Sequence, residues 1–318
     1  MSNSLALVFP GQGSQHVGML RELAERYSVV RTTFEEASDA LGYDLWHVTQ
    51  EGPDTRLNAT TCTQPALLTA GVAIWRVWQE LEGPRPLAMS GHSLGEYSAL
   101  VCAGALSFAD GVRLVRLRGE AMQQAVPEGA GGMAAILGLE NGDVEAACSE
   151  AAEGEVVSAV NYNSPGQVVI AGDRSAVERA ITRCQERGAK RAVPLPVSVP
   201  SHCALMKPAA RRLEEAMNDI DFRTPRYRVV QNVDARWHEE VDAIKSRLVE
   251  QLYRPVQWSS CIEALGEDGA GVFIECGPGK VLTGLGKRIA RHNRGLAVND
   301  PETLGAAIEL ARESGDNI

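Results

Sequence analysis

Ser93 stands in Gly91-His92-Ser93-Leu94-Gly95, after a short apolar stretch, Pro86-Leu-Ala-Met-Ser90, and before a compact apolar run from Leu94 to Cys102. Strand, sharp turn and helix in that order make the context of a nucleophile elbow. Such a turn exposes the serine hydroxyl at a helix N-terminus, where free N–H groups and the helix dipole favour developing negative charge. Glycines flank the serine because a Cβ would clash in so tight a turn. The chemistry this setting suits is attack of an activated hydroxyl on an acyl carbon.

A serine nucleophile needs a base, and the chain holds six histidines. His92 adjoins Ser93, but neighbours on a turn point apart, so it is expected to pack beneath the elbow. His16 and His47 lie in unremarkable settings, and His238 and His292 in polar ones expected to be exposed. His202, in Val199-Pro-Ser-His-Cys203 just before a helix, is the choice from spacing, against a satisfied structural histidine. No Asp or Glu identifies itself as a third member, which leaves a main-chain carbonyl to orient the imidazole. Cys203 is the alternative nucleophile, with a poorer setting than Ser93. Arg113, Arg116 and Arg118 share one helix, and one of them turned inward would offer a planar fork to a carboxylate. Spacing does not choose among the three.

Two glycine-rich loops invite other readings and fail them. Gly11 and Gly13 meet the first half of a dinucleotide fingerprint, but His16 stands at the third glycine position. Gly277-Pro-Gly-Lys280 runs into Val281 where a phosphate loop needs Ser or Thr. Both suit tight loops at strand ends, where α/β proteins build the walls of their sites.

Around these residues the periodicity gives an α/β core. Leu5–Phe9 reads as a buried strand, and apolar positions from Pro65 to Leu81 follow the helical period, as do those from about Phe108 to Gln124. Between about residues 128 and 197 the order becomes βαββαβ, a ferredoxin-like unit. The expected organisation is therefore a large hydrolase-like domain with a parallel sheet, residues 1–127 and 198–318, interrupted by a small ferredoxin-like domain, residues 128–197. The α/β pattern then resumes, with Pro208 in the first turn of a helix, a strand at Gly271–Glu275 and a helical tail from Pro301.

Composition narrows the classes. The 318 residues are 44% hydrophobic and 23% charged, an ordinary globular balance. No apolar run approaches the roughly 18 residues of a membrane span, and the short N-terminal apolar stretch lacks a basic leader. A cytoplasmic protein is expected. Seven cysteines without metal or redox spacing read as small buried hydrophobes. The net charge of -10 argues against a nucleic-acid surface, and an acidic partner would have to meet a local basic patch.

Taken together the motifs resemble the malonyl-CoA:acyl-carrier-protein transacylase family of type II fatty-acid synthesis. The matching stretches are Phe9-Pro-Gly-Gln-Gly-Ser-Gln, Thr63-Gln-Pro-Ala-Leu, Gly91-His-Ser-Leu-Gly-Glu, Arg118-Gly-Glu-Ala-Met, Asn161-Tyr-Asn-Ser-Pro-Gly-Gln, Pro200-Ser-His-Cys, Gln251-Leu-Tyr-Arg-Pro-Val-Gln-Trp and Glu275-Cys-Gly-Pro-Gly, in the family's order. The resemblance implies Ser93 as nucleophile, His202 as base, and the N–H groups of Gln12 and Leu94 as oxyanion hole. It implies Arg118 as the partner of a malonyl carboxylate, with Gln64, Met122 and Asn161 nearby, and the main-chain carbonyl of Gln251 on His202. No cofactor or metal is implied; the partners are malonyl-CoA and an acyl carrier protein, and a monomer is expected. Leu94 resembles the malonyl-using members, since related polyketide acyltransferases often carry Gln there when they use methylmalonyl. Gln231-Asn232 stands where the family often has Asn-Asn, a departure expected to lie away from the chemistry, like the variable loop at Trp237. Lys280, Lys287, Arg288, Arg291 and Arg294 form the densest basic cluster, with Lys190, Arg191, Lys207, Arg211 and Arg212 as the alternative. Lys287 and Arg288 are the expected docking residues for an acidic carrier.

Two rivals share features of this reading. A serine esterase or thioesterase has the elbow but orders its residues Ser, Asp, His with the histidine late in the chain. A docking module would keep the elbow only as a relic.

Overall fold

The computed structural model describes residues 4–197 and 199–315. Ser198, where the second part of the large domain is expected to begin, and residues 1–3 and 316–318 lie outside them. The strands are β1 Ser4–Phe9, β2 Ala88–Gly91, β3 Gly131–Leu137, β4 Val157–Ser164, β5 Gln167–Asp173, β6 Arg191–Pro194, β7 Arg228–Val230, β8 Ala270–Cys276 and β9 Arg294–Val298.

Leu5–Phe9 is buried at every position, which is what a strand covered on both faces demands. It occupies the centre of a five-stranded sheet in the order β7-β2-β1-β8-β9, every pairing of which is parallel. The C-terminal ends of β1, β2 and β8 therefore lie side by side. Gln12 follows the first, Ser93 the second and Gly277 the third. That edge is where open α/β sheets place their sites. The helix Thr60–Glu80 lies almost wholly buried against this sheet and the helix Phe108–Ala125.

The second sheet is antiparallel, in the order β4-β5-β3-β6, and with the helices Asn141–Ala151 and Arg174–Glu186 it follows the βαββαβ chain order. One face carries its own core, including Ile136, Val144, Cys148, Ile170 and Val177. On the other, Val160, Val169 and Ala171 pack with Cys203. The strand β4 is tied to the rest of the chain through the backbone: Tyr162 N donates to Val256 O at 3.0 Å and Val256 N to Val160 O at 2.9 Å.

Several regions depart from expectation, among them the strand β9, which periodicity did not show. The helix expected from Pro65 begins at Thr60, with Pro65 inside it. Pro65 forfeits only the bond to the Thr61 carbonyl, and the turn upstream of it carries Thr60 and Gln64 into the site. The segments 21–57 and 218–270, left without elements by periodicity, hold the helices Arg21–Arg26, Ser28–Leu41, Leu45–Glu51, Asp54–Leu57, Val241–Gln251 and Trp258–Glu267 and the strand β7.

Candidate active site

Ser93 takes φ 52° and ψ -109° at the start of the helix Leu94–Cys102, a conformation that L residues adopt only when their surroundings compel it. The compulsion is steric and polar. A Cβ on Gly91 would lie 1.9 Å from the carbonyl carbon of Gly95, and one on Gly95 2.0 Å from Phe9 O, so only glycine fits at either place. Asn232 then clamps the turn: its Oδ1 accepts the Ser93 N–H at 2.8 Å and its Nδ2 donates to Gly91 O at 2.8 Å. The expectation that Gln231-Asn232 lies away from the chemistry is thus corrected. Linear spacing could not show that the turn after β7 returns beside β2.

His202 Nε2 lies 2.8 Å from Ser93 Oγ, and His202 Nδ1 lies 2.6 Å from Gln251 O. A carbonyl can only accept, so Nδ1 carries the ring proton and Nε2 is left to accept from the hydroxyl. Burial, and after it the charge of Arg118, lower the pKa of His202 to about 3. The imidazole is therefore neutral, a base ready for the serine proton. His92 instead packs edge-on to Trp258 at 5.5 Å and pairs with Asn163 Oδ1 at 2.8 Å. His238, expected to be exposed, is half-buried against Asp234. Cys203 is buried, with its Sγ on Pro200 O and its pKa raised to about 11 by burial. It is an inert thiol.

Of the three arginines, the structure turns Arg118 inward. It is 2% exposed; Arg113 and Arg116 instead meet Asp110 and Glu120 at the surface. Arg118 Nη1 donates to Gln64 Oε1 at 2.9 Å, and Nη2 to Gln251 Oε1 at 3.1 Å and Ser93 Oγ at 3.3 Å. Its guanidinium also stands over the Tyr97 ring at 5.4 Å. Nε has no partner. A buried cation held only by neutral oxygens can accept an anionic group.

Sequence reasoning missed Glu96, fully buried under the elbow. Its carboxyl accepts from Gln231 Nε2 at 2.9 Å, Asn232 N at 2.7 Å and Gln251 Nε2 at 3.0 Å. Burial raises its pKa to about 7 against the pull of these donors. Gln251 joins everything: its carbonyl holds His202, its Oε1 holds Arg118, and its Nε2 reaches Ser93 O and Glu96. The only sequence signal for Glu96 was its place in the elbow motif.

Gln12, Leu94, Asn161 and Met122 line the same cleft of about 400 Å³ as Ser93, His202 and Arg118. The Leu94 N–H opens a helix and so has no intrahelical partner. Gln64 lies just behind, its Nε2 on Thr60 Oγ1 at 3.0 Å and on Met122 Sδ at 3.7 Å. Asn161 Oδ1 is buried without a partner. Val169, Leu195, Val199, Val281 and Leu285 add apolar lining to the cleft. Lys287 and Arg288 are exposed in the last turn of the helix Val281–Ile289, whose first turns line the cleft; Arg288 Nη1 also reaches Gln167 Oε1 at 2.6 Å. Among the described residues no cluster of His, Cys, Asp and Glu is placed to hold a metal, and no helix is long and apolar enough to cross a membrane.

A strained serine meets a neutral imidazole at the edge of the parallel sheet, an arrangement suited to acyl chemistry through the serine. The chain belongs to the acyl transferase domain family, whose model matches residues 6–311. It is 60% identical to the malonyl CoA-acyl carrier protein transacylase of Salmonella typhimurium over 303 residues, 95% of this chain and 98% of that protein. It is 46% identical to the Bacillus subtilis protein of the same description over 316 residues, 99% of each. Among solved structures it is similar to an acyl carrier protein S-malonyltransferase from Vibrio cholerae, with TM-score 0.94, 58% identity and coverage of 96% and 99%. It also resembles a malonyl-transacylase in complex with its type II PKS acyl-carrier protein, with TM-score 0.96, 57% identity and the same coverage, 96% and 99%.

The two shifted pKa values predict how Ser93 reactivity depends on pH. With His202 near 3 and Glu96 near 7, phosphonylation of Ser93 by a fluorophosphonate should rise through about pH 7 as Glu96 ionises and tightens Gln251. In Glu96→Gln the rate should be flat between about pH 5 and 8. A limb centred near the ordinary histidine value in that variant would show that His202 titrates normally.

Proposed function

We propose that the chain transfers a malonyl group from malonyl-CoA to the phosphopantetheine thiol of an acyl carrier protein, through a malonyl ester on Ser93. The observation that carries this reading is the buried guanidinium of Arg118 lying 3.3 Å from the same Ser93 Oγ that meets His202 at 2.8 Å. One hydroxyl thus faces a base and an anion receptor together.

His202 Nε2 takes the Ser93 proton as Oγ attacks the malonyl thioester carbonyl. The N–H groups of Gln12 and Leu94 receive the oxyanion. The carbon–sulfur bond then breaks, and His202 returns the proton to the departing CoA thiolate. In the second half-reaction the carrier's thiol gives its proton to His202 and attacks the ester carbonyl, and Ser93 Oγ leaves with that proton. Thioester and oxygen ester are close in energy, so the sequence is reversible. Arg118 holds the malonyl carboxylate through both halves, with Gln64, Met122 and Asn161 shaping the space around it. An acetyl group would leave the cation unpaired in a partly dry site. Lys287 and Arg288 steer the acidic carrier to the cleft mouth. The chain acts as a cytoplasmic monomer and needs no cofactor or metal. A main-chain carbonyl in place of a triad carboxylate, and a cation beside the serine, speak against the esterase reading.

Intact-protein mass spectrometry after mixing with malonyl-CoA should show a malonyl-sized gain that is absent in Ser93→Ala and discharged by holo carrier protein; discharge by water at the same rate would favour the hydrolase. Replacing Arg118 by Ala should narrow the preference for malonyl-CoA over acetyl-CoA by about thirtyfold or more, since losing a buried charge pair costs at least about 2 kcal/mol. Equal loss on both donors would remove Arg118 from selection. Reversing the charges of Lys287 and Arg288 should raise the apparent KM for carrier protein at low salt and leave acylation by malonyl-CoA intact; an unchanged KM would place docking elsewhere.

A further inference from the structure

A line of hydrogen bonds leaves the far side of Arg118 and ends on the loop after β1. Arg118 Nη1 donates to Gln64 Oε1 at 2.9 Å, Gln64 Nε2 to Thr60 Oγ1 at 3.0 Å, and Thr60 Oγ1 to Gln12 Oε1 at 3.1 Å. Its direction is forced at the first two steps. A guanidinium can only donate, so Gln64 must present its oxygen to Arg118 and its NH2 to Thr60. The hydroxyl, accepting there, keeps its proton for Gln12 Oε1. A line that starts on a cation is polarised along its length.

Both ends of the line matter to acyl transfer, and the middle is held rigidly. Thr60 is buried at the first residue of its helix, and that turn is pressed against the helix bearing Arg118: a Cβ on Gly119 would lie 2.9 Å from Thr60 O. Gln12 is the opposite. It is exposed, on a loop whose next residue, Gly13, has φ +103°. Downstream, Gly13 N–H is tied to Gln15 Oε1 at 2.8 Å; upstream of that tie, Thr60 holds the Gln12 side chain.

We propose that Thr60 is a positioning residue that couples the carboxylate grip of Arg118 to the oxyanion loop through Gln64 and Gln12. A carboxylate on Nη2 fixes the plane of the guanidinium, and with it Nη1, Gln64, Thr60 and the loop that presents the Gln12 N–H. A donor without a carboxylate leaves that line free to shift, so it loses in rate as well as in binding. This inference rests on the malonyl-transfer reading above.

The test compares Thr60→Val, nearly isosteric but without the hydroxyl, with Thr60→Ser, which restores it. Single-turnover acylation of Ser93 is measured with malonyl-CoA and acetyl-CoA. Thr60→Val should lower the malonyl rate constant about tenfold, less than deleting an oxyanion donor outright. The KM should stay within about twofold and the malonyl-to-acetyl ratio of rate constants should narrow, because the interaction acts after binding. Thr60→Ser should return the wild-type ratio. Gln12→Ala, which truncates an exposed side chain, should reproduce the Thr60→Val effect, and the double variant should be no worse than either single one. It also keeps the test decisive if Thr60→Val folds poorly. Equal losses on the two donors, an effect confined to KM, or additive single variants would overturn the coupling. If the wild type takes no malonyl group at all, the functional reading fails instead.

Discussion

Everything in the site answers to one buried charge. The Arg118 guanidinium is taken out of water without a carboxylate on it, a placement that costs several kcal/mol unless neighbours compensate. Here the compensation is neutral: the amide oxygens of Gln64 and Gln251, the Ser93 hydroxyl and the face of Tyr97. None cancels the charge, so the cation remains able to pair with an anionic group. The nearby buried carboxyl of Glu96 meets Arg118 through the Gln251 amide, which receives on one side and donates on the other. Direct contact would have made a salt bridge and closed the receptor.

The same constraint explains the unusual orienting group on His202. A carboxylate on Nδ1 would set the tautomer, but it would add a negative charge within reach of Arg118 and compete with the incoming anion. A main-chain carbonyl at 2.6 Å sets the same tautomer without charge. Gln251 can therefore serve base and cation from one residue, its backbone on one and its side chain on the other. A substitution at Gln251 changes only the side-chain half.

What the sequence disclosed, and what it hid, follows from how local each determinant is. The elbow is a short-range object, so Ser93 and its glycines stand out in the linear text, as do the βαββαβ rhythm and the buried strand β1. His202 could be chosen by its turn, though its partner carbonyl could not be read from spacing, since backbone atoms leave no mark in side-chain chemistry. Arg118 was indistinguishable from Arg113 and Arg116 by pattern; family resemblance singled it out, and burial separates them. Glu96 and Asn232 were hidden for another reason. Their partners lie more than a hundred residues away, brought close by the pairing of β2 with β7, which is only three residues long. Three of the helices in 21–57 run only four to seven residues and bury too few turns to show a period, whereas Ser28–Leu41 buries Val30, Phe34, Ala37 and Leu41 at helical spacing and was open to the same reading as Pro65–Leu81.

The cation also bears on rate through the base. Burial is the first cause of the low pKa of His202 and the charge of Arg118 the second. Burial is permanent, but the charge is not: a carboxylate on Arg118 neutralises it. In the proposed reaction the imidazole would then face a paired cation rather than a bare one, and its basicity would rise as the Ser93 proton must move. On the same reading, an acyl group without a carboxylate would leave the base as weak as in the free protein. In the proposed reaction, discrimination by a buried cation would thus act twice, on the bound group directly and on the base beside it, and the second effect would appear in the chemical step, where uniform binding cannot help.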